Sequence, residues 1–237
     1  MNLLVSALAG LPQISLSELD AQWQGNARHD FKFLMTQDQI LGLIRSIESD
    51  IRVLQIQGKT SFRYHTEYLD TPERLMYRQH VQGKAHRFKI RERTYLDAGH
   101  TQLELKERLG TSQTRKTIDP DADLLKKFEP LTLSATTSFN RMTLFRHSCM
   151  EKLTLDFDLA LAVGNRTIMS RPDIVLVEVK SLSSRSQTTQ ELRASGIRPT
   201  SFSKYGSAVD LLVSPRPRIH SSKTLRKIFD LAGPEIL

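Results

Sequence analysis

Between residues 85 and 180 the chain repeatedly alternates charged with apolar residues, and a period of two is the signature of a β-strand. In Phe88-Lys89-Ile90-Arg91-Glu92-Arg93 the cations Lys89, Arg91 and Arg93 share one face, while Phe88 and Ile90 share the other. Leu103-Glu104-Leu105-Lys106 repeats the scheme. Lys152, Thr154, Asp156 and Asp158 alternate with Leu153, Leu155, Phe157 and Leu159. Glu178 and Lys180 alternate with Val175, Val177 and Val179. The polar face of a strand ordinarily looks at solvent. Here several strands carry Arg and Lys at matching positions, with single carboxylates among them. If such a sheet closes on itself, the charged face becomes a lumen. A cationic lumen suits a polyanion, because Arg offers a fork matched to phosphate oxygens and Lys offers a point charge. Isolated carboxylates there would suit a hard divalent cation.

Composition agrees with an anionic partner. Lys and Arg number 34 against 26 Asp and Glu in 237 residues, a formal net charge of +8. That balance favours phosphate compounds, nucleic acid or a lipid surface without choosing among them. The single cysteine, Cys149, excludes an intrachain disulfide framework and a cysteine-based zinc site. No stretch has the length and apolarity of a membrane-spanning helix. The apolar start, Met1 to Leu11, lacks the basic region of a secretory signal and reads as a docking helix or an extension.

The remaining elements follow from caps and periodicity. A break near Pro12 and Ser15-Leu16-Ser17-Glu18 precedes a short helix toward Trp23. Arg28 to Phe33 alternates as a strand. Thr36-Gln37-Asp38-Gln39 forms a capping box before a helix with Ile40, Ile44 and Ile47 on one stripe. Phe62 to Asp70 reads as a strand, and Thr71-Pro72 as the start of a helix holding Arg74 to His80. Strands are expected at 85–95, 101–108, 115–118, 137–146, 151–159, 166–169 and 174–179. Helices are expected at 121–128, 188–195 and 203–212. Many short antiparallel strands with interspersed helices give an α+β chain, a barrel or sandwich with helical decoration. The histidines His29, His65, His80, His86 and His147 lack ligand spacing and read as surface or packing residues. Asp70 and Thr71 read as helix caps, and Cys149 as inert. Five cations lie between Arg216 and Lys227 before the next acid, so the end of the chain reads as a basic tail.

These residues, in this order, resemble the VTC domain, the polyphosphate-polymerase domain of the vacuolar transporter chaperone complex, within the triphosphate tunnel (CYTH-like) superfamily. The resemblance runs from about Arg28 to Leu212. It rests on Arg28-x-Asp30-x-Lys32, Tyr68-Leu69-Asp70-Thr71, Lys89-Ile90-Arg91-Glu92-Arg93-x-Tyr95, Leu103-Glu104-Leu105-Lys106 and Arg115-Lys116. Phe139-Asn140-Arg141, Lys152-Leu153-Thr154-Leu155-Asp156, Glu178-Val179-Lys180 and Ser203-Lys204-Tyr205 complete it. Each motif is weak alone; their order over about 180 residues makes the signal specific. The resemblance implies a closed eight-stranded antiparallel β-barrel, a triphosphate tunnel with peripheral helices. It divides the chain into an extension at 1–27, a tunnel domain at 28–213 and a basic tail at 214–237.

It also implies an ATP-polyphosphate phosphotransferase that moves the terminal phosphoryl group of ATP onto a polyphosphate chain, with Mn²⁺ or Mg²⁺. In that reading Arg91, Arg93, Lys106, Arg141 and Glu178 are catalytic. Lys32, Lys89, Lys116, Lys152, Lys180, Ser203 and Lys204 bind phosphate, and Glu178 and Glu104 hold the metal. The chain departs from the family at Asp30 (commonly Glu), Phe139 (commonly Tyr) and Lys152 (commonly Arg). A stand-alone, bacterial, cytoplasmic form is expected, with ATP and polyphosphate or inorganic phosphate as partners and no specific nucleic acid. The alternatives are a triphosphatase or polyphosphatase in the same tunnel, and a non-catalytic polyphosphate- or nucleotide-binding module. Aromatics that alternate away from the cations, such as Phe88 and Phe157, count against base stacking.

Overall fold

The computed structural model describes residues 3–23, 29–110, 113–214 and 222–230. In chain order the elements are α1 (Leu3–Leu8), β1 (Gln13–Ile14), α2 (Leu16–Gln22), β2 (His29–Thr36), α3 (Gln37–Ile47), a 3₁₀ turn (Glu48–Asp50), β3 (Ile51–Leu54) and β4 (Ser61–Asp70). Then come α4 (Leu75–Val81), β5 (Arg87–Tyr95), β6 (His100–Leu109), β7 (Gln113–Ile118), α5 (Ala122–Lys126), β8 (Thr132–Arg146) and β9 (Glu151–Val163). Last are β10 (Arg166–Met169), β11 (Ile174–Ser181), α6 (Gln187–Ala194), α7 (Lys204–Leu212) and α8 (Ser222–Ile228). The hydrogen-bonded order is β2-β11-β9-β8-β4-β5-β6-β7, with β1, β3 and β10 beside this path. Apart from the parallel β1–β3 pair, the registered neighbours are antiparallel. The fold is thus α+β on a large antiparallel sheet.

The chain forms two compact units, and the long strands β8 and β9 each contribute to both. The first unit comprises Met1–Phe62, Asn140–Asp158 and Pro172–Ser201. Its core lies under β2, β11 and β9, where Phe33 and Met35, Val175, Val177 and Val179, and Leu153 and Leu155 all face inward. Helix α3 covers them with Ile40, Leu43, Ile44 and Ile47. Its start is the expected box: the Gln39 N–H donates to Thr36 Oγ1 and the Thr36 N–H to Gln39 Oε1. Helix α2 begins the same way at Ser15 and Glu18. Helix α1 is a docking helix, since Leu4 and Leu8 belong to this core. Each buried Leu or Ile contributes roughly 1.5–3 kcal/mol of transfer free energy.

The second unit comprises Arg63–Phe139, Leu159–Arg171 and Phe202–Leu237. Ile90 of β5 and Leu105 of β6 pack with Met76 and Phe128. The buried Asp70 carboxylate accepts the N–H groups of Met76 at 2.9 Å and Tyr77 at 3.0 Å, and the Tyr205 hydroxyl at 2.6 Å. It caps α4 and ties α7 to the end of β4. Helix α8 is docked as well, with Leu225, Ile228 and Phe229 fully buried.

Some expectations move. Helix α4 starts at Leu75 rather than at Pro72, because Arg74 takes a left-handed conformation with φ 54°; Thr71 Oγ1 still accepts the Leu75 N–H. Strand β8 begins at Thr132, five residues before the expected 137. Strands β1 and β3, too short to show a period, were not expected. Asp158 has φ 52° and is exposed, so the polar row of β9 ends at Asp156. Arg28 and much of the basic tail lie outside the described residues.

Candidate functional site: two charged strand faces

In the first unit the charged alternation of β2, β11 and β9 comes into register. Lys32 stands opposite Glu178, Asp30 opposite Lys180, and Lys180 opposite Lys152. Lys180 Nζ lies 2.6 Å from Glu178 Oε2 and 3.9 Å from Asp30. Burial pushes the Glu178 carboxyl up, but Lys180, Lys32 and Arg141 outweigh it and hold the group well below the usual carboxylate range. Arg141 forks onto Asp156 at 2.6 and 2.8 Å. Lys152 Nζ sits 5.2 Å over the ring of Trp23. The expected residues Lys32, Arg141, Lys152, Glu178 and Lys180 therefore gather on one face, where Asp30, Asp156 and Glu178 offset most of the charge of the four cations.

The face in the second unit is different. Lys89 pairs across with Lys106, and Lys106 with Lys116, so three cations stand side by side on β5, β6 and β7. One register step away Arg91 faces Glu104, and beyond it Arg93 faces Gln102. Glu104 is fully buried and surrounded. Arg91 bonds its Oε2 at 2.5–2.6 Å, Lys116 and Gln102 bond Oε1 at 3.2 and 2.9 Å, and Arg93 lies 3.7 Å away. Burial alone would raise its pKa; Arg91, Arg93 and Lys116 instead hold it at about 2. Lys89 Nζ donates to Ser203 Oγ at 3.0 Å, and that oxygen also caps α7 by accepting the Gly206 N–H. Lys204 Nζ lies 4.3 Å over the ring of Phe139.

The buried phenol of Tyr68 reports the potential on this face. Desolvation pushes a buried phenol up, yet Arg91, Arg93 and Lys204 draw Tyr68 below its ordinary value. An anion brought here would meet preorganised donors in a partly desolvated setting, where each charge acts more strongly than in water.

Sequence reasoning missed the aromatic side of this face. Tyr68 stands opposite Arg91 and Tyr64 opposite Tyr95. Tyr64 stacks on Phe139 with centroids 5.2 Å apart, and Arg93 lies 5.6 Å over the Tyr64 ring. Aromatics thus share the cationic face, contrary to the expectation from Phe88 and Phe157. The signal was present in the alternate positions Tyr64, Thr66 and Tyr68 of β4. The rings here lie against each other and under cations.

Of the histidines, His65 bonds Ser138 at 2.9 Å and His86 bonds Glu107 at 2.6 Å. Burial and Glu151 push the Cys149 thiol up to about 12, so it is a poor nucleophile.

Glu104 and Glu178, the expected metal ligands, each stand among cations. Among the described residues no group of three His, Cys, Asp or Glu side chains is placed to hold a metal ion. This donor set does not make a resident metal site. A divalent ion reaching either face would arrive on the phosphates of a nucleotide, as part of the substrate.

Comparison with known proteins adds the following. A solved structure from Vibrio parahaemolyticus, described as a candidate adenylate cyclase, is 15% identical, with TM-score 0.48 over 76% of this chain and 96% of that one. A protein from Pyrococcus horikoshii is 13% identical, with TM-score 0.45 over 76% and 95%. A conserved hypothetical protein from Pyrococcus furiosus is 12% identical, with TM-score 0.42 over 74% and 98%. No curated protein matches. The family model that matches is that of the VTC domain, over residues 27–128, which hold β2 to β7 and the cations of the second unit's face. Over residues 27–128, somewhat under half of its length, the chain is thus similar to the VTC domain.

Proposed function

We propose that this chain is a phosphotransferase that moves the terminal phosphoryl group of ATP onto a polyphosphate chain, within a closed eight-stranded tunnel. The observation that carries the reading is the row Lys89, Lys106 and Lys116 beside Arg91, in a segment of VTC type. Phosphoryl transfer asks for positioning and charge neutralisation rather than covalent help from the protein. Arg91 and Arg93 supply forked donors, and Lys89, Lys106, Lys116 and Lys204 supply point charges. Lys32, Arg141, Lys152 and Lys180 do the same on the first unit's face, and Glu178 orders Lys180. The terminal oxygen of the acceptor chain attacks the γ-phosphorus in line. The bond from that phosphorus to the β,γ-bridging oxygen breaks, and ADP leaves. A phosphate oxygen is already anionic at neutral pH, so the nucleophile needs no base, and the histidines need no catalytic part. Cations spread along the strands neutralise charge that grows on the transferring group and on ADP.

The test is the reaction of purified protein with ATP and Mn²⁺, following ADP, free phosphate and chain length. Long chains from the unmodified protein, abolished by Arg91→Ala and Glu178→Gln, are expected. Free phosphate without chains moves the assignment to a triphosphatase. Bound ATP or polyphosphate without turnover leaves a binding module.

A further inference from the structure

The first unit's sheet carries a second apolar cluster, on the side where its charges stand. Val53 of β3 pairs across with Leu144 of β8, and both belong to the core beneath α3. Successive side chains of a strand point to opposite faces. Leu54 and Phe145, the next residues along, therefore point to the other face. That is the face of Lys152, Thr154 and Asp156 on β9, whose neighbours Leu153 and Leu155 lie in the core. There Leu54 and Phe145 are buried with Ile14 of β1 and with Leu19 and Trp23 of α2. Strand β1 is fastened along β3, with the Gln55 N–H donating to the Ile14 carbonyl at 2.9 Å. Helix α2 follows from its capping box at Ser15 and Glu18. It thus sits on the charged face and not on the core side.

The place of α2 along that face is marked by Lys152. Asp30, Lys180 and Lys152 form the last row that registers across β2, β11 and β9. Lys152 Nζ lies 5.2 Å over the Trp23 ring. Phe145 and Met150, which flank the turn between β8 and β9, pack in the same cluster, so the cluster closes this end of the face. One row inward Thr154 stands opposite Glu178. Its buried hydroxyl makes no hydrogen bond among the described residues, although a buried hydroxyl ordinarily has a partner. Past the Lys152 row an anion would meet hydrocarbon, where an unpaired charge is costly to bury.

Resting on the phosphate reading above, we propose that β1 and α2 form an end stop on the first unit's charged face, so that this face takes the terminus of a linear phosphate polymer and rejects its middle. A terminal phosphate reaches the Lys152 row and the Thr154 hydroxyl and goes no further. A polymer lying along β9 ends at Trp23. The stop decides which part of the polymer is held, and so supplies specificity more than affinity.

The full chain would be titrated calorimetrically with a linear polyphosphate of defined length, and with the same polymer carrying a bulky amide on both terminal phosphates. The blocked polymer is expected to bind at least tenfold more weakly. Leu19→Ala/Trp23→Ala, which hollows the stop and leaves Lys152 and Thr154 in place, should bind the two polymers within twofold of each other. It should still unfold cooperatively, at a lower temperature. A second readout needs no variant, because Trp23 is the single tryptophan of the chain. The unblocked polymer should change its emission and the blocked polymer should not; if the double variant does not fold, this emission decides. Equal binding of both polymers by the unmodified chain overturns the stop while leaving the phosphate reading intact. So does tenfold discrimination kept by the folded double variant, or emission that the bound unblocked polymer leaves unchanged. If the unmodified chain binds neither polymer, the phosphate reading fails, and the stop with it.

Discussion

The two strand faces are made from the same alphabet and differ in balance. In the first unit Lys32, Arg141, Lys152 and Lys180 share their face with Asp30, Asp156 and Glu178. In the second, Glu104 stands against Arg87, Lys89, Arg91, Arg93, Lys106, Arg108 and Lys116. A balanced face is largely satisfied by its own ion pairs, so its charges hold structure and orientation. Along the registered rows of the second face cations outnumber acids, so a bound anion adds attraction there. The difference teaches where affinity for phosphate should concentrate, and it can be broken experimentally at either end.

The largest effect is expected at Arg91. Arg91→Ala strips the buried Glu104 of its closest partner, which should cost about 3–5 kcal/mol of stability by leaving a buried charge under-compensated. It should also lower transfer activity at least a hundredfold, as for loss of a donor aimed at developing charge. Arg91→Lys, which keeps the charge and loses the fork, should restore much of the melting temperature and little of the activity. Equal recovery of both would make Arg91 merely structural.

The next effect tests the balanced face. Asp156→Asn breaks the fork on Arg141, both groups being largely buried. It should lower stability by about 3 kcal/mol and, by freeing Arg141, shift phosphate affinity by less than threefold. A larger gain in affinity would mean that Asp156 competes with phosphate for Arg141 on this face.

The smallest effect is in pH. Glu104 has its carboxyl held at about 2 against an ordinary 4.5. A depressed carboxylate contributes stability that is complete above 4.5 and is lost as pH falls from there toward 2, because only the unfolded chain takes up the proton in that window. Glu178, also lowered, acts in the same direction. The urea midpoint should therefore fall between pH 5 and 3, and fall less steeply in Glu104→Gln. That variant should bind tripolyphosphate more tightly at pH 7, by about threefold to tenfold, because a competing counter-charge is gone. Weaker binding would make Glu104 part of the anion site rather than its competitor.

Much of this was legible in the sequence, for physical reasons. Alternation fixes which side chains share a face, so Lys89, Arg91 and Arg93 could be separated from Ile90 before any fold was known. The capping box at Thr36 marks a helix start through hydrogen bonds made within four residues. What stayed hidden depends on register. Nothing local tells that Lys106 stands between Lys89 and Lys116, that Arg87 faces Arg108, or that Asp70 meets Tyr205 at 135 residues' separation. Strand β3, four residues long, carries too short a pattern to announce itself.

The most direct test of the central claim is a crystal structure of the full chain with tripolyphosphate. Phosphate oxygens within hydrogen-bonding distance of Lys89, Lys106 and Lys116, with Arg91 alongside, are the predicted result. Tripolyphosphate bound elsewhere at full occupancy, with these side chains still as they stand around Glu104 and Ser203, would contradict it.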